Sequence, residues 1–547
     1  MEYLLPLAQF QQRVARHPNK VYLHQPVNRQ WRQWTWQQAD REARTIASGL
    51  LNHFAAGDKI AILAKNSAEW FMADLAIQMA GMVSVPIYAT AGAETIEYVL
   101  AHSEAKAVFL GKLDDTRAAE SAIPASVMRI AFPYPTASAE HQWQEWLTHY
   151  EPVGELPTQT PDAMFTLVYT SGSTGQPKGV VLSCKNVGSS SHATAAQSQW
   201  YEDDRCISYL PLAHITERCV LEIMTYYSGA AVYFVESLDT FVDDVKHARP
   251  NFFISVPRLW TKFQSGILAK IPDQKLQRLL KIPVVGWLVA RKIRAGLGLN
   301  HARLLGSGSA PIAPAMLEWY RGLGMNIAEG WGMTETSGLS CSNLPYRADR
   351  IGTIGVPVPC VEMRLGEGNE VQIRGDAVFK SYYKNPEATA EAFLDGWFRT
   401  GDRGEQTADG AFKIVGRLKE QFKTAKGKYV APAPIENLMA RNEWVEQCCV
   451  LGVGRPQPVA LVVLNEAGQK KTRADVERSL QVTLAEINGE LESHERLGGL
   501  IVLTEAWTIE NGLLTPTLKI RRGPIEEQFI GLLDRMGEAT LVWQRDL

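Results

Sequence analysis

This 547-residue chain is poor in the features that mark membrane-spanning, secreted or nucleic-acid-binding proteins. No apolar run approaches the ~20 residues that span a bilayer. The longest candidate, Ile282–Ala290 (IPVVGWLVA), lies between Lys281 and the cations Arg291, Lys292 and Arg294. It reads as a buried helix with ordinary charged ends, the alternative being an apolar patch with basic flanks in peripheral contact with a membrane, such as an inner membrane face. The opening stretch MEYLLPLAQFQQRVARHP has no basic region ahead of its apolar residues, so no secretory signal is expected. Cysteines number only seven, none forms a C-x-x-C or Cys/His metal pattern, and the odd count argues against a disulfide framework. Reduced thiols in a cytoplasmic protein are the expectation. A net charge of −3 gives no electrostatic footprint for nucleic acid. Internal repeats and low-complexity segments are absent too.

What is present is an α/β chain too long for one core, so about two to four folding units are expected. Lys59–Leu63 and Val83–Tyr88 read as strands around a helix-like Trp70–Ala80. Ala107–Leu110, Ala163–Tyr169 and Ala231–Phe234 continue the alternation, and a helical region, Pro272–Leu297, precedes a strand at Ala302–Leu305. After Ile351 the texture turns β-rich with frequent glycine turns, the mark of a small barrel or a set of hairpins. Beyond Lys419 it shifts again, to a strand at Cys448–Val453, a helix over Arg473–Ser493 and a strand at Leu500–Leu503. The expected division is a domain of stacked α/β sheets over 1–418, with a β-barrel-like subdomain over about 351–418, and a small α+β domain over 419–547.

The richest segment is YTSGSTGQPKGV, Tyr169–Val180. Ser171, Gly172, Ser173, Thr174 and Gly175 precede a single Lys178, between the β-prone flanks Phe165–Tyr169 and Val180–Leu182. Small residues let backbone amides approach a ligand, hydroxyls donate, and the lysine adds a point charge, so the loop suits a polyphosphate. It lacks the Ser/Thr that follows the lysine of a P-loop NTPase, because Gly179 stands there. Further on, GWGMTET sets Trp331 between Gly330 and Gly332, with Thr334 and Glu335 behind; a flat ring can stack a base and a carboxylate can hold Mg²⁺ between phosphates. GSGSAP (Gly306–Pro311) is a broken G-x-G-x-x-G, with Pro311 where the last glycine belongs, so a dinucleotide site is rejected. WFRTGD ends in Asp402 and GRLKEQFK supplies Arg417, a pair suited to clamp ribose hydroxyls.

These motifs, in this order, resemble the adenylate-forming superfamily, and the resemblance runs from AILAKNSAEW (Ala61–Trp70) to Arg522. YLPLAHITER (Tyr209–Arg218), SVPRLWTKF (Ser255–Phe263), VPIYAT (Val85–Thr90) and LTPTLKIRR are similar to the long-chain acyl-CoA synthetase branch. The resemblance implies that a fatty acid and ATP form an acyl-adenylate, which coenzyme A then converts to a thioester. It implies Lys519 as the catalytic lysine, Glu335 and Thr170 as Mg²⁺ ligands, and Thr334 and His214 near the reacting groups. Ser309 and Ala310 would line the adenine and acyl pockets. The resemblance also implies that the C-terminal domain rotates about Lys419, where many members carry Asp, and that Gly427 then leaves room for the pantetheine arm. The rival acceptor is a carrier-protein thiol, as in acyl-ACP synthetases.

Overall fold

A computed structural model describes residues 3–170, 176–509, 511–515, 519–537 and 539–547. The N-terminal part is built on two large mixed sheets. The first has eight strands in the order Ser381–Tyr382, Lys178–Ser183, Met164–Thr170, Val83–Ile87, Lys59–Ala64, Ala107–Gly111, Met128–Ala131, His141–Gln142. The second has nine: Val356–Pro357, Cys341–Ser342, Ile327–Trp331, Leu304–Ser307, Phe252–Ser255, Arg205–Ser208, Ala231–Phe234, Val21–Val27, Gln30–Thr35. The middle strands of both are parallel; antiparallel strands are added at both edges of the nine-stranded sheet and at the Ser381–Tyr382 edge of the eight-stranded one.

Parallel strands need cover on both faces, which is why KIAILA is almost continuously apolar and buried from Ile60 to Ala64. The helix Ala68–Met79 packs against Lys59–Ala64 and Val83–Ile87 of one sheet and Val21–Val27 of the other. All its residues are buried, so it shows no polar face. Ser67 caps it by accepting from the Trp70 amide at 3.2 Å.

Arg218, 1% exposed, ties the two halves together. It lies beyond the loop that leaves the strand Arg205–Ser208 of the nine-stranded sheet, yet it donates to Thr166 Oγ1 (2.6 Å) and Ser84 Oγ (3.2 Å) on the eight-stranded sheet. It also pairs with Asp74 of the sandwiched helix at 2.6 Å. The chain widens into a π-helical turn over Arg218–Glu222, a local irregularity common near functional sites.

The glycine-rich stretch after Ile351 forms a five-stranded antiparallel sheet of hairpins: Val361–Leu365, Glu370–Gly375, Phe393–Leu394, Trp397–Gln406 and Phe412–Arg417. A 3₁₀ turn, Leu418–Glu420, carries the exposed Lys419 and leads into the C-terminal part. There a four-stranded sheet (Val445–Leu451, Val459–Leu464, Gly499–Val502, Leu541–Trp543) carries two apolar faces at period two. Val450 and Val462 pack under the helices Pro432–Met439 and Arg473–Glu490, whereas Cys449, Leu461 and Val463 pack under Arg522–Arg535.

One expectation is overturned. The helical region is two helices, Asp273–Leu280 and Pro283–Leu297, and the second is not a buried helix. Only Gly286 and Ala290 of it are buried. Gly286 sits so close to the preceding helix that a Cβ there would lie 2.5 Å from the Leu280 carbonyl oxygen. Packing through that narrow contact leaves Val284 71%, Trp287 55% and Leu288 51% exposed.

Candidate active site

In parallel α/β sheets the strand carboxyl ends converge on a crevice where ligands bind. Here the ends of Arg205–Ser208, Phe252–Ser255, Leu304–Ser307 and Ile327–Trp331 deliver, in turn, the Tyr209–Arg218 loop, Ser255, Ser309–Ala310 and the Trp331–Glu335 turn. Ser309 adopts φ +67°, turning the chain sharply beside the strand end.

Gly332 is required by close approach: a Cβ would fall 1.5 Å from the Gly338 carbonyl oxygen. That contact folds Thr334–Thr336 into a 3₁₀ turn in which Thr334 and Glu335 are buried. Gly332→Ala must open this turn and displace Glu335, so its adenylation kcat/KM is expected to fall about tenfold or more, with an intact cooperative melt. A normal ATP-dependent rate would contradict this packing argument.

Glu335 Oε1 accepts from Tyr382 Oη at 2.9 Å, and the Lys178 ammonium lies 5.0 Å from the Tyr382 ring centroid. One tyrosine thus links the candidate metal carboxylate to the candidate phosphate lysine. Burial, then the Glu335 charge, pushes the Tyr382 hydroxyl well above its ordinary range, so it stays a donor. Thr170 ends the strand Met164–Thr170, opposite Lys178 in register. Ser171, Gly172, Ser173, Thr174 and Gly175 lie outside the described residues.

Asp402, 3% exposed, is held from two sides. Arg417 Nε lies 2.7 Å from Oδ1, and Trp331 Nε1 donates to Oδ2 at 3.0 Å. Burial raises its pKa, while Arg417, the Trp331 bond and Lys519 pull it back. The indole nitrogen of Trp331, whose ring is the candidate platform for a base, thus also fixes the carboxylate.

Lys519 comes from the far end of the chain into this cluster. Its backbone carbonyl accepts from Thr515 N at 2.8 Å, and Arg521 N donates to Leu513 O at 2.9 Å, so the backbone at Lys519–Arg521 is tied to that at Leu513–Thr515. Arg522 fixes the adjoining backbone to the C-terminal core through a forked pair with Glu436 (2.8 and 3.0 Å) and a bond to Val450 O at 2.9 Å. Lys519 is an exposed residue, yet protein walls stand close enough around its ammonium to desolvate it. Those walls, then Arg417, depress its pKa; Asp402, Glu420 and Glu335 act in the opposite sense.

His214 caps the short helix Ile215–Glu217, Nδ1 accepting from the Thr216 amide at 3.2 Å. A neutral ring that accepts at Nδ1 carries its proton on Nε2. Burial, then the charge of Lys519, lowers its pKa to about 3, so it stays neutral through the physiological range.

Glu217, Asn66 and Tyr382 were not singled out in the sequence, although Glu217 lies within YLPLAHITER and Asn66 within AILAKNSAEW. Glu217 Oε1 accepts from Ser208 Oγ (2.7 Å) and Tyr209 N (3.0 Å), while Asn66 Oδ1 accepts from Leu212 N at 3.2 Å. Together they set the loop that presents His214. Burial pushes Glu217 up to about 8. Folding therefore favours its protonated form, and that stability is lost as pH rises from the ordinary carboxylate range through about 8. Glu217→Gln removes this titration, so thermal melts should shift in favour of the variant as pH climbs across that window. A pH-independent difference between the two proteins would contradict the assignment.

Gly427 lies apart from this cluster. It occupies an exposed turn of the hairpin Phe422–Lys423/Tyr429–Val430 at φ +75°, a conformation that itself favours glycine. Mg²⁺ fits the donor set in a particular way. Among the described residues no group of three or more His, Cys, Asp or Glu could cage a metal. A single buried carboxylate suits an ion that keeps its waters and shares the nucleotide's phosphates.

The sequence model described as AMP-binding enzyme matches residues 10–383, and that described as AMP-binding enzyme C-terminal domain matches 419–539. The chain is 30% identical to the long-chain-fatty-acid–CoA ligase FadD15 of Mycobacterium bovis, over 94% of this chain and 93% of that protein. It is 31% identical to the peroxisomal long chain acyl-CoA synthetase 7 of Arabidopsis thaliana, over 92% of this chain and 81% of that protein. Its fold is similar to the A domain of the carboxylic acid reductase from Segniliparus rugosus, solved with AMP and a co-purified carboxylic acid, at a TM-score of 0.80 and 22% identity, covering 98% and 94% of the two chains. By sequence over nearly its whole length and by fold, the chain belongs to the AMP-binding enzyme family.

Proposed function

We propose that this protein is an AMP-forming acid–thiol ligase that converts a long-chain fatty acid to its coenzyme A thioester through an acyl-adenylate. The observation that carries the reading is Lys519: a lysine of the C-terminal part close enough to Glu335, Asp402, Arg417 and His214 for their charges to act on one another. The similarity to long-chain-fatty-acid–CoA ligases supports the choice of acid and thiol.

In the first half-reaction a carboxylate oxygen attacks the α-phosphorus of ATP and pyrophosphate leaves. Asp402, held by Arg417 and Trp331, receives the ribose hydroxyls. Lys519 bridges the entering carboxylate and the α-phosphate, and Lys178 draws off the pyrophosphate charge. Glu335 and Thr170 would hold Mg²⁺, which neutralises phosphate charge when bound. Neutral His214, its Nε2–H free of the Thr216 contact, offers a donor to the acyl carboxylate without adding charge.

In the second half-reaction the thiolate attacks the acyl carbonyl and AMP departs with its α-phosphate. Gly427 sits on an outer turn whose contacts (Ala425 N to Arg455 O, Gly427 N to Thr424 O) are internal to the C-terminal part. Rotation about Lys419 would exchange Lys519 for this turn at the acyl carbonyl. The cytoplasmic setting expected from reduced thiols is part of the same proposal.

The test is mass spectrometry of products from ATP, Mg²⁺, a ladder of fatty acids and coenzyme A. Acyl-CoA with stoichiometric AMP is expected, depleted first at long chain lengths. Acyl-adenylate accumulating without thioester would overturn coenzyme A as acceptor and point to a carrier-protein thiol.

A further inference from the structure

Soluble proteins seldom leave a cluster of large apolar side chains in water without a use. Ile282, Val284, Trp287 and Leu288 are each half or more exposed at the start of the helix Pro283–Leu297, and Val285 is 38% exposed. Around them lie the exposed cations Lys270, Lys275, Arg278, Lys281, Arg291 and Lys292. Among the described residues none of the six makes an ion pair, and the guanidinium of Arg291 lies over the Trp287 ring, 5.3 Å from its centroid. The one carboxylate in the segment, Asp273, accepts from Trp319 Nε1 at 3.0 Å and from Gln277. This strongly basic stretch belongs to a chain whose net charge is −3.

We propose that this helix tip docks on the surface of an anionic lipid bilayer, its apolar side chains entering the interface and its cations meeting the headgroups. Aliphatic side chains, a tryptophan and unpaired Lys/Arg together are the composition of an interfacial helix. A second copy of the chain is a poorer occupant, because a two-fold contact through this patch would set the same six cations against one another. Position supports the choice as well. The Gly298 end of the helix packs on the backbone of Lys246, ahead of the strand Phe252–Ser255. The Pro283 end, about 22 Å away along the helix, therefore lies toward the strand carboxyl ends where the candidate site sits. That placement suits collection of a fatty acid from the membrane, a consequence that rests on the proposed activity; the docking itself does not.

The test is flotation of the full chain with vesicles of phosphatidylcholine alone or with one-third phosphatidylglycerol, at low and high salt. Binding to the anionic vesicles about tenfold or more stronger than to the neutral ones is expected, weakening with salt. The variant Val284→Ser/Trp287→Ser and the variant Lys281→Gln/Arg291→Gln/Lys292→Gln should each lose most of it. Both change exposed side chains, so unchanged melting and unchanged acyl-CoA formation from a water-soluble acid would show that fold and chemistry survive. No flotation, or flotation indifferent to both variants, would overturn the proposal. So would self-association in lipid-free solution that the first variant abolishes. Failure of acyl-CoA formation by the native chain would strike the proposed activity and leave the docking result standing.

Discussion

Lys519→Ala is expected to slow acyl-adenylate formation by about a hundredfold or more while leaving the transfer of a supplied acyl-adenylate to coenzyme A nearly unchanged. The reason is the encounter of two anions. At ~4 Å and an effective dielectric near 20, a carboxylate and a phosphate oxygen repel by about 4 kcal/mol, and a cation placed between them offsets most of that. A hundredfold corresponds to about 2.7 kcal/mol. Nothing else in the cluster replaces it, since Arg417 is committed to Asp402 at 2.7 Å. The depressed pKa of Lys519 adds a signature. The lysine acts as a cation, so kcat/KM for adenylation should show an alkaline limb below the ordinary lysine range. That limb should move up in kcat, once bound phosphates favour the charged form. Pre-steady-state assays of the two half-reactions read both effects. Equal losses in both halves would refute the division of labour between Lys519 and the turn at Gly427.

Arg218→Ala should cost about 3–5 kcal/mol of stability, the range for breaking a buried ion pair from one side. Arg218 and Asp74 are each 1% exposed and meet at 2.6 Å between the two large sheets. Removing the guanidinium strands Asp74 without water and also deprives Thr166 and Ser84 of their donor. Glu222, 3.7 Å from Arg218 Nε, is a lesser loss. Burial, then the Asp74 charge, pushes its carboxyl well above the ordinary range. The double variant Arg218→Ala/Asp74→Ala should recover part of the stability, because it removes the stranded Asp74 carboxylate. Denaturant titrations of the three proteins test this, and a single-variant loss under about 1 kcal/mol would contradict it.

These two residues show how far the sequence could be read. Lys519 was singled out by the resemblance of LTPTLKIRR to its family, because an isolated lysine in a basic run reads by itself as a solvated surface charge. Arg218 stood inside a quoted motif, but its partner Asp74 is 144 residues away, and no periodicity announces such a pairing. The same holds for Tyr382, which joins Glu335 to Lys178 across the seam between strand and turn. Lys59–Ala64 was legible as a strand because burial on both faces demands an apolar run, and Ala231–Phe234 because its apolar residues suit a strand whose burial alternates. Ile282–Ala290 failed for the complementary reason. An apolar helix looks alike in sequence whether protein or another phase covers it, and only the fold shows that Gly286 and Ala290 alone of Ile282–Ala290 are buried, with Val289 partly covered by the core. Trp331 was legible as a site residue, though its hydrogen bond to Asp402 was not, because the partner arrives from the five-stranded sheet.

The most direct test of the account uses a fatty acid labelled with ¹⁸O in its carboxylate, turned over once with ATP, Mg²⁺ and coenzyme A. If the carboxylate attacks the α-phosphorus, the thiol displaces AMP with one carboxylate oxygen attached, so one ¹⁸O per turnover must appear in AMP and none in pyrophosphate. Label in pyrophosphate or orthophosphate, or ADP as the nucleotide product, would contradict the acyl-adenylate route and with it the role assigned to the Lys519 cluster.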